Sequence, residues 1–382
     1  MFKLEFPKAH PIDEMEALRR EVRDFLAVEI SGRTPAERAL TWCGFDTEFS
    51  RKMGTKGWLG MTWPKCYGGH ERTALERYVV LEEMLAAGAP VAAHWIADRQ
   101  SGPLILRVGT EDQRRRFLPA IARGEIFFGA ALSEPDTGSD LASARTRAVK
   151  TDEGYVVNGT KIWNTYGHCN HFTILFCRTE PPSPEARHKG FSQFIVDMSL
   201  PGIEVRPILD LAGKHHLNEI HFSDTLLPHD ALLGPSGSGW QQVMSELANE
   251  RSGPERFLSS FPLLIELGRA IGKQPSPQAA SAYGRLAGQI AILRQMSLSV
   301  AAMLQTGEDP SVPAAIVKDL GAVLEQEIVE AARLVVATEP DLKGDDFASS
   351  LATTMLAAPS FSLRGGAREI LRGIIARGLD LR

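Results

Sequence analysis

The sequence has no excess of basic residues, no paired cysteines and no long apolar run, and each shortage removes a class of function. The formal net charge is -5 at pH 7 and the isoelectric point is near 6.1. Nucleic-acid binders and membrane-surface proteins usually carry a basic face, so neither a nucleic acid nor a membrane is an expected partner, and any anionic ligand must be held by local groups. The four cysteines, Cys43, Cys66, Cys169 and Cys177, form no CxxC pair and are too sparse for a disulfide scaffold. They read as reduced thiols serving as small buried apolar residues. The first residues, "MFKLEFPKAHP", hold no apolar core of signal-peptide length, and the longest weakly apolar run, "MLAAGAPVAA", falls short of the roughly 18 residues that cross a bilayer. The expected location is the cytoplasm.

Generic cofactor motifs are missing too. There is no GxxxxGK[ST], and no GxGxxG stands between a strand and a helix, which argues against a Rossmann nicotinamide site. "GPSGSGW" is rich in glycine but reads as a turn that starts a helix. "GKHHLNEIHF" offers His215, His216 and His221, yet without cysteine or carboxylate partners at ligand spacing these read as strand or loop histidines, and no metal is expected.

What is present is a globular chain of 382 residues, 43% hydrophobic and 23% charged, long enough for two or three domains. Residues 11–30 place Ile12, Met15, Leu18, Val22, Phe25 and Leu26 at helical spacing. The same period recurs around 73–88, 94–107 and 111–123, the last opened by Thr110 and Gln113 at capping-box spacing. After Gly124 the texture changes. "TRAVKTDEGYVVNGTKIWNT" alternates and carries two hairpin signals, "DEG" and "NG", while "HFTILFCRT", "FSQFIVDM" and "NEIHFSDTLL" are short β-rich runs. From "SGSGW" onward the helical period returns, with Leu286, Ile290, Leu293 and Met296 on one stripe and Val317, Leu320, Leu324, Ile328 and Val335 on another. The expectation is an α+β multidomain chain: a helical domain over 1–124, a β domain over 125–235 and a helical bundle over 236–382.

Three stretches rise above this background: "GWLGMTWPKCYGGH" (57–70), "ALSEPDTGSDLAS" (131–143) with "GTKIWNTYG" (159–167), and "GGAREILRGIIA" (365–376). In order and spacing they resemble the acyl-CoA dehydrogenase family, nearly end to end. The resemblance implies an N-terminal helical domain, a middle β-sandwich or barrel domain and a C-terminal four-helix bundle, with FAD between the last two. It also implies that Leu132 and Ser133 meet the flavin ring, that Trp163 and Thr165 flank its reactive edge, that Gly366 and Glu369 belong to the cofactor site, and that Ser139 lies where CoA enters. Donors placed beforehand around a ring that gains negative charge stabilise it without reorganising. Taken singly, the serines could cap turns and the tryptophan could be core.

The proton lost from Cα of a thioester needs a base. In the commonest branch of the family it sits just before a C-terminal Gly-Thr, and the matching position here is Gly365, with Ala367 where threonine is usual. A smaller branch, which includes enzymes for branched acyl chains, carries the base ten residues after the start of the helix that begins "GW", followed by arginine. That count gives Glu250 and then Arg251, the latter implied to help hold the CoA thioester end. Trp240, Val243, Met244 and Leu247 define the expected inward stripe, and Glu250 is its next member. Burial and the negative end of a helix would both raise its pKa, which suits a base working near neutral pH. The alternative is a buried ion pair of Glu250 with Arg251 or Arg256.

Two features usual in the family are absent, an RxxFG segment and a QxxGGxG segment, both of which serve FAD across a subunit interface. The phrases "RHKGFSQFIVDM", "HHLNEIHFSDTLLP" and "LANERSGPERF" resemble the subgroup acting on steroid side chains and other bulky or branched acyl-CoAs, in which two paralogous chains can assemble as α2β2. The expected reaction is FAD-dependent formation of a trans-2-enoyl-CoA, with an electron-transfer flavoprotein as re-oxidant and either a homodimer, a homotetramer or an α2β2 heterotetramer. The alternatives are a non-catalytic or co-catalytic partner subunit and an oxidase variant.

Overall fold

The computed structural model describes residues 6–7, 14–181, 184–250 and 253–381. Its backbone forms two compact units, one from Met1–Phe49, Arg72–Ala92 and Ala248–Arg382, the other from Ser50–Glu71 and Ala93–Leu247. In chain order the architecture runs helices, sheet, helices, the α+β arrangement expected.

The helical unit packs long amphipathic helices. In Glu14–Glu29, Met15, Leu18, Val22 and Leu26 are buried as their spacing requires, while Ile12 lies outside the described residues. The helices Phe261–Ile271, Pro277–Thr306, Ser311–Val335, Asp346–Ala357 and Arg368–Gly378 follow. Leu286 and Leu293 are buried with Ile290 and Met296 half-buried, and Val317, Leu324 and Ile328 are buried. Leu320 is instead exposed, because the buried face of its helix runs through Lys318, Gly321 and Ala322. Charges inside this unit are paired: Glu82 accepts from Arg19 at 2.9 Å and from Arg294 at 2.6 Å, and Glu83 takes Arg19 and Arg23. This network joins Glu14–Glu29, Ala74–Ala86 and Pro277–Thr306. The last of these is apolar and long enough to cross a membrane by length and composition, contrary to the reading of its sequence, but 44% of the window concerned is buried within the protein.

The other unit is built on eight strands: β1 (Phe128–Ala131), β2 (Arg147–Lys150), β3 (Tyr155–Thr165), β4 (Phe172–Arg178), β5 (Phe191–Asp197), β6 (Ile203–Leu209), β7 (His215–Leu227) and β8 (Leu232–Leu233). They make one mixed sheet in the order β6-β7-β3-β2-β4-β5-β8, with β1 parallel to β4. β4 is apolar without alternation because both its faces are covered. Ile174 packs with Phe117, Phe128 and Ile195, whereas Leu175 and Cys177 pack with Phe194, Val157 and Ile220. The helix Glu111–Ala122 opens with the expected capping box, and Gln113 also donates to the carbonyls of Asp230 and Leu232 at 2.7 and 3.0 Å.

Of the two hairpin signals, the first is borne out and the second is not. "DEG" is a hairpin, closed by Thr151 N to Gly154 O at 2.8 Å. "NG", residues 158 and 159, is no turn; it lies inside β3 at a register shift, where a Cβ on Gly159 would stand 2.4 Å from Thr146 Oγ1, so the glycine serves close backbone approach. Of the cysteines only Cys177 is buried, its thiol pushed up to about 12 by burial, while Cys66 is exposed and Cys43 and Cys169 are half-buried.

Candidate functional site

The segment Ala130–Glu134 runs beside the last turn of β3, and three bonds fix it there. Asn164 Nδ2 donates to Ala130 O at 3.1 Å, Lys161 Nζ to Leu132 O at 2.8 Å, and Ile162 N to Ser133 O at 2.9 Å. Lys161 is fully buried, on the inward side of β3 with Tyr155 and Val157. A buried ammonium needs a counter-charge. Glu134 supplies it at 2.9 Å, and its carboxylate also accepts Arg145 N at 2.7 Å and Thr146 N at 2.9 Å. Burial alone would push the Glu134 carboxyl up, but Lys161 and the Arg145 amide outweigh it and hold it below the usual carboxylate range. Burial draws the Lys161 ammonium down, partly offset by Glu134.

Trp163 is the odd residue of this strand. It sits at the second register shift of β3, between Lys161 and Asn164, with φ +65°, in the left-handed region that an aromatic side chain rarely adopts. A bulge there re-aims the side chain. The ring is 56% exposed, although Lys161 and Asn164 on either side are buried. Ser133 and Thr165 flank it half-buried, and among the described residues neither hydroxyl has a hydrogen-bond partner. An exposed planar ring on a bulge whose neighbours Ser133 and Thr165 carry unused hydroxyl donors fits a flat heterocycle with acceptor edges, so this donor set fits a flavin. Ser139 is exposed, beyond the tight turn closed by Glu134 and Thr137, with open space beside Gly138.

The helix Gly239–Glu250 buries Gly239, Gln242 and Val243, with Trp240 stacked on His188 at 4.2 Å. Met244 is 41% exposed, so it does not belong to the inward stripe that the sequence suggested; the face is shifted toward Gln242. Glu250 is the last residue of this helix, but its side chain, like Leu247, lies outside what is described, and Arg251 lies outside the described residues altogether.

Gly366 and Glu369 belong to the helical unit, at the start of Arg368–Gly378, where Glu369 is exposed in the first turn. The turn before them is held by Arg364, which donates to Glu325 at 2.8 and 2.7 Å and lies over the rings of Trp42 and Phe361. Arg368 pairs with Asp319 at 2.8 Å. Gly365 has φ +68°, and a Cβ there would stand 2.8 Å from Nη1 of the buried Arg256. Arg256 in turn faces Glu255 at 3.4 Å. A guanidinium therefore occupies the space beside the position that carries the base in the commonest branch.

Sequence reasoning passed over several of these residues. Glu134 and Lys161 stood inside the quoted motifs without a role; the alternation Tyr155, Val157, Lys161 was the signal that the lysine points inward. Asn164, Asn218 and the Arg364–Glu325 pair gave none, since their partners are distant in the chain. Among the described residues no three His, Cys, Asp or Glu side chains converge on a metal position.

Three family models match the chain: the acyl-CoA dehydrogenase N-terminal domain over residues 12–125, its middle domain over 129–225 and its C-terminal domain over 266–379. Acyl-CoA dehydrogenase FadE29 of Mycobacterium tuberculosis is 37% identical over 253 residues, 65% of this chain; the match spans 64% of that relative's length. The solved Tcur3481-Tcur3483 steroid ACAD superposes with a TM-score of 0.84 at 25% identity, covering 99% of both chains. The ChsE4-ChsE5 complex from Mycobacterium tuberculosis gives 0.82 at 27% identity, covering 98% of both.

Proposed function

Because this chain belongs to the acyl-CoA dehydrogenase family of FAD-dependent oxidoreductases, we propose that it oxidises a branched or bulky acyl-CoA to the trans-2-enoyl-CoA. The observation that carries the proposal is Trp163, a large aromatic side chain left exposed on a left-handed bulge of the strand end that also carries Thr165 and bonds Ser133. FAD, when bound, supplies the acceptor for the hydride that leaves Cβ. Trp163 offers it a face, the Ser133 and Thr165 hydroxyls offer donors to its acceptor edges, and the Lys161–Glu134 pair keeps the Leu132–Ser133 main chain at fixed distance from Trp163. Gly366 and Glu369 complete its binding residues. Glu250 takes the Cα proton, with Arg251 holding the thioester end and Ser139 the CoA chain. Gly365, where the commonest branch carries its base, has no side chain to take the proton, which supports this assignment.

A steroid side chain is the favoured acyl group, supported by the likeness to the steroid ACAD. An electron-transfer flavoprotein is the proposed re-oxidant and the cytoplasm the proposed location. The missing RxxFG and QxxGGxG segments favour assembly with a paralogous chain over a homo-oligomer, and the likeness to the ChsE4-ChsE5 complex supports it. The test is anaerobic: purified protein with FAD is mixed with CoA esters from butyryl to sterol-derived, and the flavin absorbance followed. Bleaching by the bulky esters is expected. A protein that binds no FAD, alone or with a co-expressed paralogue, contradicts the proposal, and peroxide formed at every turnover in air would make it an oxidase instead.

A further inference from the structure

On the far side of the Trp163 bulge lies a polar cluster without a role in that chemistry. Asn218, fully buried on β7 and paired in register with Asn164, donates through Nδ2 to Asn164 O at 3.0 Å. A main-chain carbonyl can only accept, which fixes the orientation of the carboxamide. Its Oδ1 therefore faces His168 Nδ1 at 3.1 Å and His215 Nε2 at 2.6 Å, and both imidazole nitrogens must carry hydrogens. The two imidazole rings stack at 3.8 Å with 19° between their planes. One carboxamide oxygen, with two lone pairs, thus takes two donors while the amide end grips the residue between Trp163 and Thr165.

We propose that Asn218 is the positioning residue of the flavin-contacting turn: it fixes the Asn164 main chain, and the stacked His168–His215 pair fixes Asn218. The bulge needs such a hold. Trp163 at φ +65° and Tyr166 at φ +51° are both left-handed, so the turn between them is strained and relaxes unless something over-determines it. Asn170 assists from the other side, donating to Thr165 O at 2.9 Å. With these donors in place, Trp163 is presented outward with one orientation before any ligand arrives, which lowers the ordering cost of binding.

The inference rests on the flavin reading above, and its test separates the two. Asn218→Asp is isosteric but sets a carboxylate oxygen against the Asn164 carbonyl, acceptor facing acceptor. The wild type, Asn218→Asp and the same pair carrying Trp163→Phe are compared as apoproteins. The difference spectrum within each pair isolates Trp163 among the six tryptophans. Asn218→Asp is expected to move Trp163 emission and its acrylamide quenching in the absence of flavin, and to weaken FAD binding about tenfold, the scale of one well-placed buried hydrogen bond. If Asn218→Asp does not fold, His168→Ala, which removes one of the two donors from an exposed position, is expected to give the same spectral change with about threefold weaker FAD binding. A folded variant with unchanged Trp163 emission and quenching overturns the positioning role. A wild type that binds no FAD, whether by itself or with a co-expressed paralogue, overturns the flavin reading only, because the emission of Trp163 is read without it.

Discussion

Lys161→Met probes the hinge of the proposed site. Methionine matches the length of the lysine stem and keeps the volume filled. What is lost is the bond to Leu132 O at 2.8 Å and the ion pair to Glu134 at 2.9 Å. Bonds to a charged group contribute roughly 1.5–3 kcal/mol each, offset by the several kcal/mol no longer needed to strip water from an ammonium. Glu134 is not orphaned, since Arg145 N and Thr146 N still donate at 2.7 and 2.9 Å. The expected loss is about 3 kcal/mol, the low end for breaking a buried pair. Glu134→Gln should do more harm, about 4 kcal/mol, because the fully buried ammonium loses its counter-charge and the new amide nitrogen meets the Arg145 N–H donor to donor. The double variant should then be milder than the sum of the two by about 2 kcal/mol. The assay is urea denaturation followed by tryptophan fluorescence, closed as a double-mutant cycle. A coupling energy within error of zero, or Glu134→Gln proving more benign than Lys161→Met, would refute the reading of this pair as a charged, mutually dependent clamp on Leu132.

Two further outcomes rest on His94 and Gly365. His94 is buried with Nδ1 at 2.8 Å from Ser50 Oγ, and burial, opposed by Asp98, lowers its pKa from 6.5 to about 4. The unfolded chain therefore protonates first, and stability that is intact above pH 6.5 is lost as pH falls toward 4, by about 2 kcal/mol between pH 7 and 5. Chemical denaturation at the two pH values checks it: His94→Gln should flatten this slope, and an identical slope in the variant would show that another group carries it. Gly365→Ala should cost about 1–3 kcal/mol, combining the left-handed backbone at φ +68° with displacement of the buried Arg256 guanidinium. A melting temperature equal to wild type would mean that Arg256 moves aside freely.

Much of this was legible from the residues, because helical and strand periods are local properties. Val22, Leu293 and Ile328 are buried where a 3.6-residue period puts them, and β3 follows a period of two. What escaped were departures from those periods. Asn158 and Gly159 looked like a turn because Asn-Gly suits a hairpin, but β3 runs straight through them and the extra residue of the register shift lies on β7, between Phe222 and Thr225. Met244 looked inward because it is apolar, but the face of its helix is set by Gln242, whose amide reaches Leu233 O at 2.9 Å and Ser238 Oγ at 2.8 Å. Asn218 could not be foreseen: its pairing with Asn164 depends on a register that the Trp163 bulge has already shifted. The motif residues Ser133, Trp163 and Thr165, by contrast, were named from a family resemblance, and the structure brings Ser133 to the end of β3 that carries Trp163 and Thr165, through the Ile162 N to Ser133 O bond at 2.9 Å.

The central claim is that one carboxylate, Glu250, removes the Cα proton. It is tested most directly by anaerobic stopped-flow mixing of FAD-loaded wild type and Glu250→Gln with the acyl-CoA that bleaches the wild type. Bound FAD with bleaching slowed by at least about a thousandfold, the scale of a general base's contribution, is the predicted result. Bleaching of the variant at the wild-type rate would contradict the assignment and send the search for the base elsewhere in the chain.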